Sequence, residues 1–345
     1  MTIFDAFLKG ITLATRHWKA LLVVYALNLL LVATVAIPVY HAIDNNLSHT
    51  ESAEEMAEGF DWLWYQEFTA SRDPDSDLSA TIAPWQTGVA PLMRNFEGYV
   101  RGTLRGSLPP GLAWIGILYL LMTTLLTGGI LGLFAEEKSR FTFRFFFDRA
   151  GRYFLMLLGI LLIAQAFYWL LWNPIGNAHQ GLVSSIRPDA VTEWTPVLVD
   201  WAGILVLMFA AFAIHMVMDY ARIAVVAWDR IGLGPSLIGA LGFCLRNLRQ
   251  TLGLFYLTTL LAIAIALFYG LLVKLGGGAT TSQLIILFVA QQLFIIGSIW
   301  IRMVYLGSQL AFYRGAMNMP VWVTPSGPAP DGLEDDVEIE ETALA

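Results

Sequence analysis

The chain has 345 residues, of which 57% are hydrophobic and only 14% are charged. Soluble domains carry about 25% charged residues, so this composition excludes an ordinary soluble domain and indicates a membrane protein. The net charge of −7 comes from the end of the chain, because seven acids and no base follow Arg314 while the other 20 acids balance 20 bases. With no surplus of bases, we expect no binding to nucleic acid.

Cysteine and histidine also limit the chemistry. The single cysteine, Cys244, excludes an internal disulfide, and no two of the five histidines stand three or four residues apart. Local metal sites usually need such spacing, so we predict neither a metal nor another cofactor.

The first 40 residues predict an amphipathic helix followed by a membrane span. Residues 1–16 carry an apolar face, made of Ile3, Phe4, Phe7, Leu8 and Ile11. The apolar run 20–40 is longer than the core of about 7–15 residues in a cleavable signal peptide. We therefore interpret it as a first span that stays in the protein.

Residues 41–110 form the longest polar region before the tail, with eleven acids and four bases. Two amphipathic segments rich in aromatic residues, 51–70 and 92–104, predict helices on the outer surface of the membrane. Aromatic side chains are common at headgroup level. We expect an outer helical insertion that packs on the bundle, and the alternative is a cap that binds lipid or a protein partner.

Five more apolar runs of about 20 residues or longer predict membrane spans. They cover residues 111–135, 153–172, 197–228, 251–275 and 282–313. The region 173–196 is expected to be an outer loop. The predicted fold is therefore all-α, a polytopic bundle of about six spans in residues 1–317. Residues 318–345, proline-rich and then acidic, predict a disordered tail.

A basic pair at i, i+3 precedes three of the spans. The pairs are Arg16 and Lys19, Arg149 and Arg152, and Arg246 and Arg249. This repeat predicts three helical hairpins, each led by an interfacial amphipathic helix whose bases face anionic headgroups. The alternative is that bases simply collect at every inner boundary of a membrane. The same bases predict that both termini are cytoplasmic.

Charged residues lie deep in two spans. Asp219 follows Val197 by 22 residues, or about 33 Å of helix, whereas the hydrocarbon core is about 30 Å thick. Asp219 can pair with Arg222, and Arg302 lies at a matching depth in the last span. Both spans are overlong, so they either tilt or project into the cytoplasm as packed helices. With His215, these residues predict a polar latch between two spans, or a pocket for a lipid headgroup or solute.

A family resemblance rests on the same stretch. The run 219–224 (Asp-Tyr-Ala-Arg-Ile-Ala), the downstream Asp229-Arg230 and residues 241–249 resemble poorly characterised bacterial multi-pass proteins. These are similar to the membrane domain that is fused to some glycerophosphodiester phosphodiesterases. The resemblance covers residues 110–315 and implies about six helices with interfacial helices in the bacterial inner membrane. It implies no established activity, and the phosphodiesterase catalytic domain has no counterpart in this sequence.

The sequence predicts a protein that is not an enzyme. Ser184, Ser185 and His179 share the expected outer loop, but no orienting acid is evident beside them. We expect a scaffold or accessory subunit that organises membrane lipids or a partner complex. A protein partner would bind through the outer aromatic region or the acidic tail. The alternative is a transporter or channel for a small solute or lipid, although the spans show no strongly broken helix at mid-membrane.

Overall fold

The computed structural model describes residues 1–47, 63–64, 66–67, 113–136, 141–188, 192, 194–229, 232–275 and 281–318. The outer insertion, apart from residues 41–47, 63–64 and 66–67, and the tail beyond residue 318 lie outside these residues. The described elements are helical: α1 Ile3–Arg16, α2 Trp18–Leu47, α3 Ala113–Ala135, α4 Phe143–Leu170, a π-helical turn Leu171–Ile175, α5 Gly176–Ile186, α6 Trp194–Trp228, α7 Leu233–Arg246, α8 Leu248–Leu275 and α9 Thr281–Ala316.

Five helical stretches within the described residues are long and apolar enough to cross a membrane. They belong to α3, to α4 with its continuation through α5, to α6, to α8 and to α9. A sixth is added if α1 and the first half of α2, which meet at a bend of 70°, count as one span. The prediction of an all-α polytopic bundle is confirmed, and the chain is a multi-pass membrane protein.

The expected loop 173–196 is largely helical, so this prediction was wrong. The chain continues from α4 through the π-helical turn into α5, which ends at Ile186. Pro174 lies inside the turn. Proline has no N–H to donate and its ring clashes with the carbonyl four residues earlier, so the regular α-helical hydrogen bonding is interrupted at this position. The apolar pattern ends at this turn, but the helix does not.

The first and third copies of the predicted repeat, which contain Arg16 with Lys19 and Arg246 with Arg249, have the same local structure. α1 and α7 each have 14 residues, and each ends at one break residue, His17 or Asn247. The backbone hydrogen bonds around the two breaks match: each break N–H bonds four residues back, and each break carbonyl accepts from the residues three and four further on. The buried positions also correspond at an offset of 230, Ala6 with Ser236, Gly10 with Ala240, Leu13 with Phe243, and Ala14 with Cys244.

The second copy departs from this pattern. α4 begins after the capping residue Thr142 and runs without a break past Arg149 and Arg152. In the predicted alignment, the position of the break residues His17 and Asn247 is held here by Ala150. Alanine is the strongest helix former, which explains why the entry segment and the span form one helix.

The buried core lies mainly at one end of the bundle, which we call the packed end. It comprises α1, α7, the beginning of α4, and the last turns of α3, α6 and α9. α1 runs antiparallel to the end of α9, with Gly10 against Ser308 and Gly315 against Met1. α3 meets α4 in the same way, with Gly129 against the ring of Phe146. Small residues allow this close approach of helices.

The other end, which we call the open end, has little buried surface. No residue in 259–273 of α8 or 285–300 of α9 is buried. In α6, only Pro196 and Leu207 are buried before Met216. A small separate cluster joins Leu207 to Leu171 and Trp172 near the π turn. Both overlong helices, α6 and α9, therefore end inside a protein core.

Candidate functional site

A cleft of about 180 Å³ lies between α3, α4, α6 and α9, next to the packed end. It brings together three of the four predicted site residues, Arg222, Arg302 and His215. The remaining wall is part polar and part apolar, and consists of Tyr119, Leu120, Thr123, Thr124, Thr127, Leu157, Leu161, Ala164, Gln165, Tyr168 and Met218. A mixed wall of this kind suits an amphiphilic ligand better than a purely polar one.

Asp219, the fourth predicted residue, lies behind the cleft wall and is 2% exposed. Its Oδ1 accepts a hydrogen bond from Arg222 Nη1 at 3.0 Å, and its Oδ2 lies 3.2 Å from His215 Nε2. Both partners belong to the same helix, at i+3 and i−4. The predicted pairing of Asp219 with Arg222 is therefore present, whereas no ion pair in the described residues links α6 to α9 through Arg302.

Arg302 differs from Arg222 in its surroundings. Its side chain is exposed on α9, and none of the ion pairs formed by the described residues includes it. The cleft therefore combines two guanidinium groups with one carboxylate. Arg222, Arg302 and Asp219 together contribute one net positive charge.

The three threonine hydroxyls in the wall already have partners. Thr123, Thr124 and Thr127 each donate to a backbone carbonyl three or four residues earlier on α3. Their oxygens can still accept a hydrogen bond, but the hydroxyl hydrogens are used. Donors for an anion therefore include the two arginines and the amide of Gln165, which line the same cleft.

The floor of the cleft is closed by the packed end. Leu157 reaches the backbone of α3 near Gly128, where a Cβ would lie 3.2 Å from its Cδ1. Beyond this contact, Leu131 and Leu133 are completely buried and Phe134 is nearly so. Buried side chains therefore lie between the cleft and the packed end.

The basic pairs fall into two groups. Arg16, Lys19, Arg246 and Arg249 are exposed, and none takes part in an ion pair within the described residues. In the second pair, both arginines form ion pairs, and the side chain of Arg149 is 18% exposed whereas that of Arg152 is 45% exposed. Arg149 bonds to Glu136, and Arg152 donates to Asp229 at 2.6 Å. Because α4 is straight, this pair lies against the ends of α3 and α6.

Asp229 shows how the turn between α6 and α7 is fixed. Its φ of 56° lies in the left-handed region, which aspartate tolerates better than most residues. Its carboxylate accepts from Arg152 and, at 2.8 Å, from the hydroxyl of Tyr153. The sequence predicted the end of the span at residue 228, directly before Asp229, but not the attachment of this turn to α4.

A His–Asp pair near the π turn was not predicted. His179 Nε2 lies 3.1 Å from Asp200 Oδ1, and Gly203 leaves the space for the imidazole, since a Cβ there would lie 2.0 Å from His179 Cε1. An acid thus lies beside His179 after all. Ser184 and Ser185, however, donate to the backbone carbonyls of Gly181 and Leu182. The pair therefore fastens α5 to α6, and its separation of 21 residues hid it from local pattern reading.

The described residues favour neither a metal site nor a reactive thiol. They contain no group of three or more His, Cys, Asp or Glu side chains that could hold a metal ion. Burial raises the pKa of Cys244 to about 12, and the nearby Asp219 adds to the effect. This thiol is thus a weak nucleophile at neutral pH.

Comparison with family models, with curated proteins and with solved structures finds no match to this chain. The class of the protein, a multi-pass helical bundle with a cationic cleft beside its packed end, rests on the chain itself.

Proposed function

We propose that this protein is a non-catalytic scaffold or accessory subunit that organises anionic lipids, and that the cleft holds an anionic headgroup. The observation that carries the proposal is the charge of the cleft, which is lined by Arg222 and Arg302 and has one carboxylate, that of Asp219, behind its wall. Guanidinium groups bind phosphate through paired, charge-assisted hydrogen bonds. Such bonds are stronger where little water competes for them.

The exposed basic pairs support the same proposal. The hydroxyl of Thr15 accepts a hydrogen bond from Trp300 Nε1 at 3.3 Å. Arg16 is the next residue after Thr15, and Arg302 lies two residues after Trp300, so the two arginines lie at a similar level. Phe243 contacts the ring of Tyr220, which brings Arg246 near the level of Arg222. If the packed end is cytoplasmic, as the positive-inside rule predicts, these bases meet the anionic inner leaflet. Each base near that surface contributes about 1 kcal/mol.

The apolar residues beside these bases suit contact with lipid. Phe4 and Leu8 of α1 are exposed, as are Ile238, Leu241 and Leu245 of α7. An amphipathic helix with exposed apolar side chains and flanking bases is typical of an interfacial element. The cleft and the two helices would then act on the same leaflet.

Native mass spectrometry of the protein extracted from a bilayer of phosphatidylcholine and phosphatidylglycerol tests this function. We expect the wild-type protein to retain phosphatidylglycerol and Arg302→Gln to retain about tenfold less, since one charge-assisted contact is lost. Arg187→Gln, which removes an exposed arginine far from the cleft, is the matched control. Equal retention by wild type and Arg302→Gln would contradict the proposal. Solute flux in liposomes above that of empty vesicles would favour the transporter instead.

A further inference from the structure

We infer that the ligand of the cleft is a phosphodiester lipid with a single negative charge, and that it enters sideways from the bilayer. This inference rests on the proposed function and specifies its ligand. Three features of the cleft carry it, namely its closed floor, its net charge and its size. A soluble anion and a lipid headgroup can share the phosphodiester chemistry, so the route of entry decides between them.

The route of entry follows from what surrounds the cleft. Toward the packed end, Leu157 and Met218 line the cleft, and the fully buried Leu131 and Leu133 lie beyond. A soluble anion from that side would have to cross this core. On α3, by contrast, the lining residues Tyr119 and Leu120 are themselves 43% and 38% exposed. The cleft thus opens along the lipid-facing side of a membrane helix.

The charge of the cleft selects the kind of phosphate. Arg222 and Arg302 bring two positive charges, and Asp219 removes one through its bond to Arg222 at 3.0 Å. A phosphodiester carries one negative charge and neutralises the remainder. A phosphomonoester carries about −1.5 to −2 near neutral pH. It would leave excess negative charge beside the buried carboxylate of Asp219, which is unfavourable at low dielectric.

The size of the cleft limits what it can hold. Its volume of about 180 Å³ is small for a ligand site, since pockets for small molecules measure about 300–1,000 Å³. A phosphate with part of its alcohol fits this space, whereas two acyl chains do not. The chains must therefore leave the cleft through its open side, past the apolar lining residues Leu120 and Leu161. A ligand that is charged at one end and apolar at the other satisfies both parts of the wall.

Competition binding to the full-length protein in phosphatidylcholine nanodiscs tests the inference. The probes are dioleoyl phosphatidylglycerol, a diester, dioleoyl phosphatidic acid, a monoester, and the soluble glycerol 3-phosphate. We expect the diester lipid to bind most tightly and millimolar glycerol 3-phosphate not to displace it. Stronger binding of phosphatidic acid, or displacement by the soluble anion, would overturn the inference while leaving a lipid-organising function intact.

Asp219→Asn sharpens the test because it keeps the shape of the side chain and raises the net charge of the cleft from one to two. We expect it to shift the ratio of phosphatidic acid to phosphatidylglycerol binding by about tenfold toward the monoester. Asp200→Asn, which changes the carboxylate beside His179, should leave the ratio unchanged. An unchanged ratio in folded Asp219→Asn, or an equal shift in both variants, would overturn the charge argument. If Asp219→Asn does not fold, Arg302→Gln tests the charge argument instead. In that variant the charges of Arg222 and Asp219 cancel, so the cleft should lose its preference for phosphatidylglycerol over phosphatidylcholine.

Discussion

The two ends of this bundle are built from the same helices but are held together differently. At the packed end, glycine and alanine bring helix backbones together, and large side chains such as Phe146 and Tyr220 are completely buried. At the open end, no residue in 259–273 or 285–300 is buried, although both segments are predominantly apolar and belong to helices that are apolar enough to cross a membrane. Apolar character alone therefore does not predict where this protein has its core.

The difference has a physical explanation. In lipid, apolar side chains gain nothing by leaving the solvent, because the solvent is as apolar as they are. Helices there associate through close packing and hydrogen bonds, and at the open end a Cβ added at Gly270 would meet nothing within 4 Å. At the packed end, α1 and α7 add two further amphipathic helices that cover the ends of α9 and α6. This arrangement is what one expects if the ends of the overlong helices project beyond the hydrocarbon core.

The largest expected effect comes from truncating one phenylalanine at each end. Phe146→Ala removes a completely buried ring that lies against Gly129, and should lower the free energy of unfolding by about 3–5 kcal/mol. Phe209→Ala removes a ring that is 70% exposed at the open end, and should cost less than about 1 kcal/mol. Thermal unfolding in a mild detergent, followed by size-exclusion chromatography, measures both. Similar losses would show that the open end is as well packed as the other.

A smaller effect is expected from adding one methyl group at each end. A Cβ at Gly10 would lie 2.0 Å from Ser308 Oγ and 2.6 Å from the carbonyl oxygen of Val304. Gly10→Ala should therefore cost about 1–3 kcal/mol, because the backbone of α9 cannot give way. Gly270→Ala meets nothing within 4 Å and should gain up to about 1 kcal/mol from helix propensity. Thermal unfolding of the two variants checks the sign, and a loss at Gly270 would mean that a neighbour covers the open end.

The fold was largely predictable because its main signals are local. Long apolar runs define the helices, and the basic pairs indicated two entry helices, whose equivalent break residues, His17 and Asn247, only the structure shows. The second copy has no break because Ala150 favours a continuous helix, and the pattern of charges carries no information on that choice. The helix beyond Pro174 was missed because it is less apolar than a span.

The candidate site was predictable only in part. The spacing of Asp219 and Arg222 indicated their pairing on one helix, and the depth of Arg302 placed it near them. The sequence could not show that Asp219 also lies close to His215 or that Arg302 forms no ion pair in the described residues. It also could not show that Gln165 of another helix lines the same cleft. Those facts depend on how helices pack, as does the contact between His179 and Asp200.

The last test of the comparison between the two ends is the pH dependence of the free energy of unfolding. His17, at the packed end, should contribute to it. The residue is 2% exposed, its Nε2 has no hydrogen-bond partner, and its ring lies 5.8 Å from that of Phe134. Burial lowers its pKa from 6.5 to about 4, and the neighbouring charge of Arg16 adds to the effect. The folded protein therefore keeps this imidazole neutral in a pH range where the unfolded chain protonates it.

The sign follows from which state binds the proton. Between pH 6.5 and about 4, the unfolded state takes up a proton that the folded state does not, so the stability from this residue is present at pH 7 and falls as the pH is lowered. The expected loss is on the order of 2 kcal/mol at pH 5, with little further change below pH 4. His17→Leu should remove this difference, which unfolding temperatures of the two proteins between pH 7.5 and 4.5 would measure. If the unfolding temperatures of the two proteins fall in parallel with pH, water or another group must reach the imidazole. The packed end would then be less closed at the break between α1 and α2 than the burial of His17 indicates.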